Sequence, residues 1–120
     1  MVNKVVYIST GLTDNNKDEL ISRYNKLVQL VLYKIDIIVH EFVFLQNNTE
    51  SLGWLCDEIY KETIYQSAAK LQIRKCDMVV FPNDWKDRKI CVIEHGIADQ
   101  YDIPCFIESD NSDDLICDKN

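Results

Sequence analysis

Glu94 is the residue of this chain whose type and setting best suit covalent chemistry. It stands in the run Glu94-His95-Gly96-Ile97-Ala98, about one turn into a helical pattern, with Val92, Ile93 and Ile97 as apolar neighbours. A carboxylate in such a place can serve as nucleophile or general acid, its protonation tuned by partial burial. An isolated Glu in a first helical turn also stabilises that turn through the dipole. His95 follows by one position, so the two side chains diverge by about 100° and do not form a simple pair; a surface or interface role is expected for His95. Ahead of this helix lies the polar loop Phe81-Pro82-Asn83-Asp84-Trp85-Lys86-Asp87-Arg88-Lys89. Trp85 offers a face on which a base can stack, or a patch for a partner subunit. Asn83 adds a polar amide, and Arg88 and Lys89 are charged donors suited to phosphate. Near the N-terminus, Tyr7, Ser9, Thr10 and Gly11 close the first apolar run. Neither G-x-G-x-x-G nor G-x-x-x-x-G-K-[ST] occurs, which excludes a dinucleotide Rossmann site and a P-loop. His40, beside Glu41, is placed at a strand end.

The elements that must position these groups follow from hydrophobic spacing. Residues 4–9 form a continuous apolar run with β-branched residues, the mark of a strand buried on both faces. From 14 to 32, Leu20, Ile21, Tyr24, Leu27, Val28, Val31 and Leu32 recur at helical spacing. A second strand is expected over 35–39, with 40–48 open between a strand extension and a folded loop. A long helix is expected over 52–75, with Leu55, Ile59, Thr63, Ala69, Leu71 and Ile73 inward. A third strand over 77–81, a helix over 90–101 and a fourth strand over 103–107 complete the order. Strands alternating with helices predict a single-domain α/β fold: a doubly wound parallel sheet of four to five strands, Rossmann-like or flavodoxin-like, with helices on both faces. Such sheets bind ligands beyond the carboxyl ends of their strands, which are the segments carrying Ser9 to Gly11 and Asn83 to Lys89.

Composition narrows the partners. The net charge is -7, so a duplex or polyanion is not expected as a partner. Glu108, Asp110, Asp113, Asp114 and Asp118 crowd the end of the chain, so residues 108–120 read as a solvated acidic tail on a domain spanning 1–107. The five cysteines, Cys56, Cys76, Cys91, Cys105 and Cys117, contain no C-x-x-C pair. That argues against a zinc site and a secreted disulfide scaffold; no metal and no cofactor is expected, and the cysteines read as small buried hydrophobes. No run approaches the roughly 20 apolar residues of a membrane span, so no membrane partner is expected and a cytoplasmic location is. The sequon Asn47-Asn48-Thr49 then reads as a polar loop.

The order of parts resembles the nucleoside 2-deoxyribosyltransferase superfamily and, more narrowly, its short relatives common in phage and prophage genomes. Val6-Tyr7-Ile8-Ser9 with Gly11-Leu12-Thr13 is similar to the family's opening "YISGPMTG" strand and turn. Trp54 and the helix ending at Cys76-Asp77 resemble its central helix and "CD" entry to the third strand. Phe81-Pro82-Asn83-Asp84-Trp85 falls at its "LPGW" turn, and Glu94-His95-Gly96-Ile97-Ala98 with Ile103-Pro104 at its "E-x-x-x-A…G-[IK]-P" segment. The likeness covers nearly all of residues 4–107. It implies Glu94 as the carboxylate that attacks the anomeric carbon of a nucleoside, Tyr7 as the residue that positions it, and a dimer or higher homo-oligomer completing each pocket. The chain departs from the pattern where relatives carry Ser-x-Gly-Ala: Arg88-Lys89-Ile90-Cys91 stands there. Arg88 and Lys89 would then replace the missing serine and glycine as phosphate anchors. Ser67-Ala68-Ala69-Lys70 lacks the acid that many relatives carry on the central helix.

Three functions stay open at this level. One is an enzyme that cleaves or transfers an N-glycosidic bond of a nucleoside or nucleotide through Glu94. Another is a catalytically degenerate binder that sequesters a nucleotide-type, ADP-ribose-derived signal, in the manner of phage anti-defence. The third is a small oligomeric interaction protein without a ligand.

Overall fold

A computed structural model describes residues 3–9, 17–35, 37–43, 69–111 and 113–118. Thr10, Gly11, Trp54, Leu55, Cys56, Ile59, Thr63 and the Asn47 sequon, on which expectations were placed, lie outside the described residues. The described elements are β1 (Asn3–Ile8), α1 (Lys17–Lys34), β2 (Ile38–Val43), β3 (Met78–Phe81), a short 3-10 turn (Trp85–Asp87), α2 (Lys89–Gln100), β4 (Cys105–Glu108) and β5 (Leu115–Asp118). The strands form one mixed sheet in the order β2-β1-β3-β4-β5. β1 to β4 run parallel and β5 pairs antiparallel with β4.

The α/β class and the mostly parallel sheet follow from the pattern of the strands. Val6 and Ile8 pair with Met78 and Val80, and Tyr7 pairs with Val79. Successive side chains point to opposite faces, so two cores form. Val6, Ile8, Met78 and Val80 pack with Leu27, Leu30 and Val31 of α1. Tyr7, Val79, Phe81 and Cys105 pack with Cys91, Ile97 and Ala98 of α2 and with Ala69 and Ile73. The central strands have apolar neighbours on both sides, which is why they read as unbroken apolar runs.

Several boundaries and faces differ from the sequence expectation. The second strand starts later than 35 because the helical chain carries on past α1: Ile35 N–H donates to Val31 O at 3.2 Å. Residues 40–43 then belong to β2, so His40 lies within the strand and not at its end. Leu30, absent from the expected apolar stripe, is buried, whereas Ile21 and Leu32 are exposed. Leu71, expected inward, is 51% exposed, because residues 69 and 73 share one face of a helix and residue 71 points about 200° away from residue 69. α2 ends in a Schellman arrangement: Ile103 N–H donates to Ala98 O at 2.9 Å and Asp102 N–H to Asp99 O at 3.2 Å. Asp102 takes the left-handed conformation this needs, with φ 55°.

The largest correction concerns the C-terminus. Residues 108–120 do not behave as a solvated tail throughout: Leu115–Asp118 forms β5, and Glu108 is buried. Ser109 ties the connecting loop. Its Oγ donates to Asp113 Oδ1 at 3.0 Å and accepts from Asp114 N–H at 3.2 Å, while Ser109 N–H donates to Asp114 O at 2.9 Å. Asp110, Asp113 and Asp114 of the loop are exposed, and the apolar run Leu115-Ile116-Cys117 supplies the strand.

Deleting residues 110–120 is expected to lower stability by about 2 kcal/mol or more. It removes the β4–β5 hydrogen bonds, each worth roughly 0.5–1.5 kcal/mol, and bares the β4 edge to pairing with other chains. Chemical denaturation of the full and shortened chains checks this; an unchanged midpoint would restore the solvated-tail reading.

Candidate functional site

The parallel strands β1 and β3 lie side by side, and the chain leaves them toward opposite neighbours, β2 and β4. Their carboxyl ends are thus the switch point of the sheet, where the loops part and a crevice is expected. Ser9 sits there: its N–H donates to Val80 O at 2.8 Å, carrying the β1–β3 ladder one residue beyond β1. The loop after β3 turns at Pro82, with Trp85 N–H donating to Pro82 O at 3.1 Å, and launches α2.

Two polar clusters flank this point, one on each face. On the α2 side, Ser9 Oγ lies 3.4 Å from Glu94 Oε1 and 3.3 Å from Cys91 Sγ. Cys91 and Glu94 are three residues apart on α2 and so share a face. Glu94 is 1% exposed and Ser9 fully buried. Burial pushes the Cys91 thiol up to about 12, against a smaller opposing effect of the Ser9 hydrogen bond, so Cys91 stays a thiol. Its S–H can donate to Ser9 Oγ, leaving the Ser9 O–H for the carboxylate, which is much the better acceptor of the two. The buried Glu94 is thereby held at one oxygen, as burial of such a group demands. Tyr7, also buried, belongs to the apolar cluster that contains Cys91, Ile97 and Ala98.

On the α1 side a cavity of about 280 Å³ opens between helix and loop. α1 contributes Ser22, Arg23 and Lys26, the β3 loop Pro82, Asn83 and Asp84, and β4 Glu108. Glu108 Oε1 accepts from Asn83 N–H at 3.1 Å, and Lys26 Nζ stands 3.4 Å from Oε2. The Asn83 amide donates to Ser109 O at 3.4 Å.

The loop residues named from the sequence have these surroundings. Arg88 pairs with Asp84: its Nε and a terminal nitrogen lie 2.9 and 2.8 Å from Asp84 Oδ2. The Arg88 hydrogen bond leads the effects that hold the Asp84 carboxyl below its ordinary value. Lys89 is the first residue of α2, and its side chain, like that of Ile90, lies outside the described residues. Trp85 stacks on His95 within the same chain, with ring centroids 4.2 Å apart and planes at 17°. Phe81 closes the group at 5.3 Å from His95. His95 in turn pairs with Asp118 of β5, Nε2 to Oδ2 at 2.6 Å. These contacts give His95 and Trp85 intrachain partners. Arg23 and Lys26 were not singled out in the sequence, although their spacing of three on a helix reaching the sheet's carboxyl edge was the signal to look for. Among the described residues no cluster of three or more His, Cys, Asp or Glu side chains suits a metal ion, and no helix is long and apolar enough to cross a membrane. The chain matches no known family model, no curated protein and no solved structure.

Two outcomes follow. Ser9→Ala should destabilise the fold by about 1–2 kcal/mol, the loss of a buried hydrogen bond to a carboxylate at a long distance; equal denaturation midpoints would remove Ser9 as a support of Glu94. Cys76, Cys91 and Cys105 have thiols raised by burial to about 11, 12 and 12. A thiol raised above its unfolded value of 9.0 contributes stability that is full below that value and lost as pH climbs toward the folded one. Stability should therefore fall from about pH 9 upward. Iodoacetamide at pH 8, followed by peptide mapping, should modify the exposed Cys117 and spare the other three.

Proposed function

We propose that this chain is a nucleoside- or nucleotide-pocket protein of the nucleoside 2-deoxyribosyltransferase kind, built on a doubly wound, flavodoxin-like sheet. The observation that carries the reading is the buried Ser9–Glu94 pair at the switch point of the sheet. It joins the end of the first strand to the first turns of the helix after the third, the two segments on which the sequence resemblance rests. The order β2-β1-β3-β4 with α1 and α2 on opposite faces supports the doubly wound arrangement.

In this reading Glu94 presents its second carboxylate oxygen to the anomeric carbon of the sugar. That oxygen forms the new C–O bond as the C–N bond to the base breaks and the base departs with the electron pair, taking up a proton from solvent water. Water or a second base then displaces Glu94 from the glycosyl-enzyme. A carboxylate suits the step because positive charge develops on the sugar ring in the transition state. Ser9 holds the other oxygen and fixes the rotamer, and Tyr7 contributes from the adjoining buried cluster.

A second reading, in which the ligand is held and returned intact, is favoured by one observation: Glu94 is 1% exposed. An anomeric carbon reaches it only when the surrounding side chains move. Such a protein would sequester a nucleotide-type signal.

Thermal shift with nucleosides, nucleotides and cyclic ADP-ribose isomers, followed by chromatography of each mixture, separates the two. Free base in the mixture, abolished by Glu94→Gln, supports the enzyme; a stabilising ligand recovered intact supports the binder. No stabilisation by any of these compounds would sink both. Self-association belongs to the same proposal. Ile21 and Leu32 are exposed on α1 and lie eleven residues apart, close to three full turns and so on one face. Light scattering at micromolar concentration should give twice the chain mass or more, and a monomer would count against it.

A further inference from the structure

We propose that the outer edge of β5 is a self-pairing surface that Asp114 holds shut: with the Asp114 carboxylate removed from Leu115 N–H, β5 of a second copy of this chain pairs with it antiparallel about a two-fold axis. This association uses a different part of the molecule from Ile21 and Leu32 and is independent of any ligand.

The backbone of β5 carries the proposal first. Among the described residues β5 ends the sheet, with β4 as its neighbour. Ser109 N–H donates to Asp114 O at 2.9 Å, in step with the β4–β5 register. Hydrogen-bonded and non-bonded pairs alternate along an antiparallel ladder. Ile116 and Asp118 therefore turn their backbone groups toward β4, and Leu115 and Cys117 turn theirs outward. An outward row of N–H and C=O groups is a template for another strand. The side chains of the strand do little to discourage one. Leu115, Ile116 and Cys117 carry no charge, Ile116 is 57% exposed, and Cys117 is exposed as well.

Symmetry selects a second copy as the partner. An antiparallel edge is its own complement under a two-fold rotation. With Ile116 opposite Ile116 of the second copy, the outward groups of Leu115 meet those of the second copy's Cys117, and the reverse pair forms alongside. The two isoleucines make the non-bonded pair, in which facing side chains come closest. Both lie on the α2 face of the sheet, since Ile116 stands opposite Ile107. Leu115 stays packed against the α1 core.

Asp114 opposes this pairing by two routes. Its Oδ1 accepts Leu115 N–H at 2.8 Å, which occupies the first outward donor of the edge. In the two-fold register it also faces Asp118 of the second copy, and like charges directly opposite are destabilising. Asp118 cannot swing aside without giving up His95, 2.6 Å away. The turn itself does not depend on the Asp114 carboxylate. It is tied at Ser109 by the Asp114 N–H and C=O and by the Asp113 side chain.

The test compares the full chain and its variants by sedimentation at equal micromolar concentration, so that any association through α1 is common to all. Asp114→Ala should raise self-association about tenfold or more over the wild-type chain. Asp114→Asn keeps an oxygen for Leu115 N–H and loses the charge, so it should raise association by less. Adding Ile116→Lys to Asp114→Ala should return the mass to that of the wild-type chain, because it sets two ammonium groups face to face. Register is read from Ile116→Cys in an Asp114→Ala, Cys117→Ser chain treated with oxidised glutathione. A non-bonded pair holds its Cα atoms about 4.5 Å apart, within reach of a disulfide. Two thiols should then give one disulfide joining the copies at position 116, located by peptide mapping, as the oxidant is reduced to two glutathione thiols. Melting temperatures identify any variant that does not fold, and Asp114→Asn decides the matter if Asp114→Ala is one of them. A folded Asp114 variant with the wild-type mass, a mass increase that Ile116→Lys leaves in place, or no disulfide at position 116 would each overturn the proposal.

Discussion

Ser9 N–H reaches Val80 O at 2.8 Å, and that bond extends a pairing on which the rest of the molecule depends. β1 and β3 are the central strands, buried on both faces, and neither has solvent to satisfy its backbone. Their ladder fixes which side chains face α1 and which face α2, since a slip of one residue would exchange every pair. Asp77 pins the register at the other end. Its N–H donates to Val5 O and its carboxylate accepts Val5 N–H, both at 2.8 Å, beside the irregularity between Lys4 and Val5. With the ladder held at both ends, Ser9 and the Pro82 turn come out at one level, and the polar groups beyond them meet.

Those polar groups obey a common rule on the two faces of the sheet. Among the described residues each face buries one carboxylate, Glu94 on the α2 side and Glu108 on the α1 side. Water is excluded from both, so each needs donors built into the fold. Glu94 draws on a hydroxyl from the end of β1; Glu108 draws on a backbone N–H from the β3 loop and an ammonium from α1. The donors differ in charge, and the difference sets the character of the two sites. A hydroxyl brings no charge to Glu94, whereas the lysine ammonium sets a positive charge beside Glu108.

How much of this was legible in the sequence depends on the range of the interaction. Unbroken apolar runs identified β1 and β3, and helical spacing identified α1 and α2, because burial on two faces or on one stripe leaves a local pattern. The neighbourhood of Glu94 was legible in part: of the apolar neighbours expected on its own helix, Ile97 is buried and Ile93 half-buried, whereas Val92 is 46% exposed. The Asp84–Arg88 ion pair was legible in the same way, since the two residues lie four apart in the sequence. Arg23, Lys26 and Glu108 were missed. They come together from α1 and β4, and nothing in the sequence of either element points to the other.

The acidic C-terminus shows how composition and pattern can point in opposite directions. A count of charges over 108–120 describes a solvated segment, but the charges are not evenly placed. They gather at the loop, where Asp110, Asp113 and Asp114 are exposed, and leave Leu115, Ile116 and Cys117 together. Three apolar residues suffice for an edge strand when a partner edge is waiting. Asp118, at its end, then finds a use that no local reading supplies: it bonds His95, whose ring stacks on Trp85 and lies against Phe81. Trp85 precedes α2 by one short turn and His95 follows Glu94 by one residue. The stack therefore braces the start of α2 against β3, and β5 braces the stack. The rotation of α2 that turns Glu94 inward toward Ser9 turns His95 toward Trp85 and Asp118, about 100° around the helix. The angular divergence that forbids Glu94 and His95 from acting as a pair is what lets His95 lock the helix while Glu94 faces the strands.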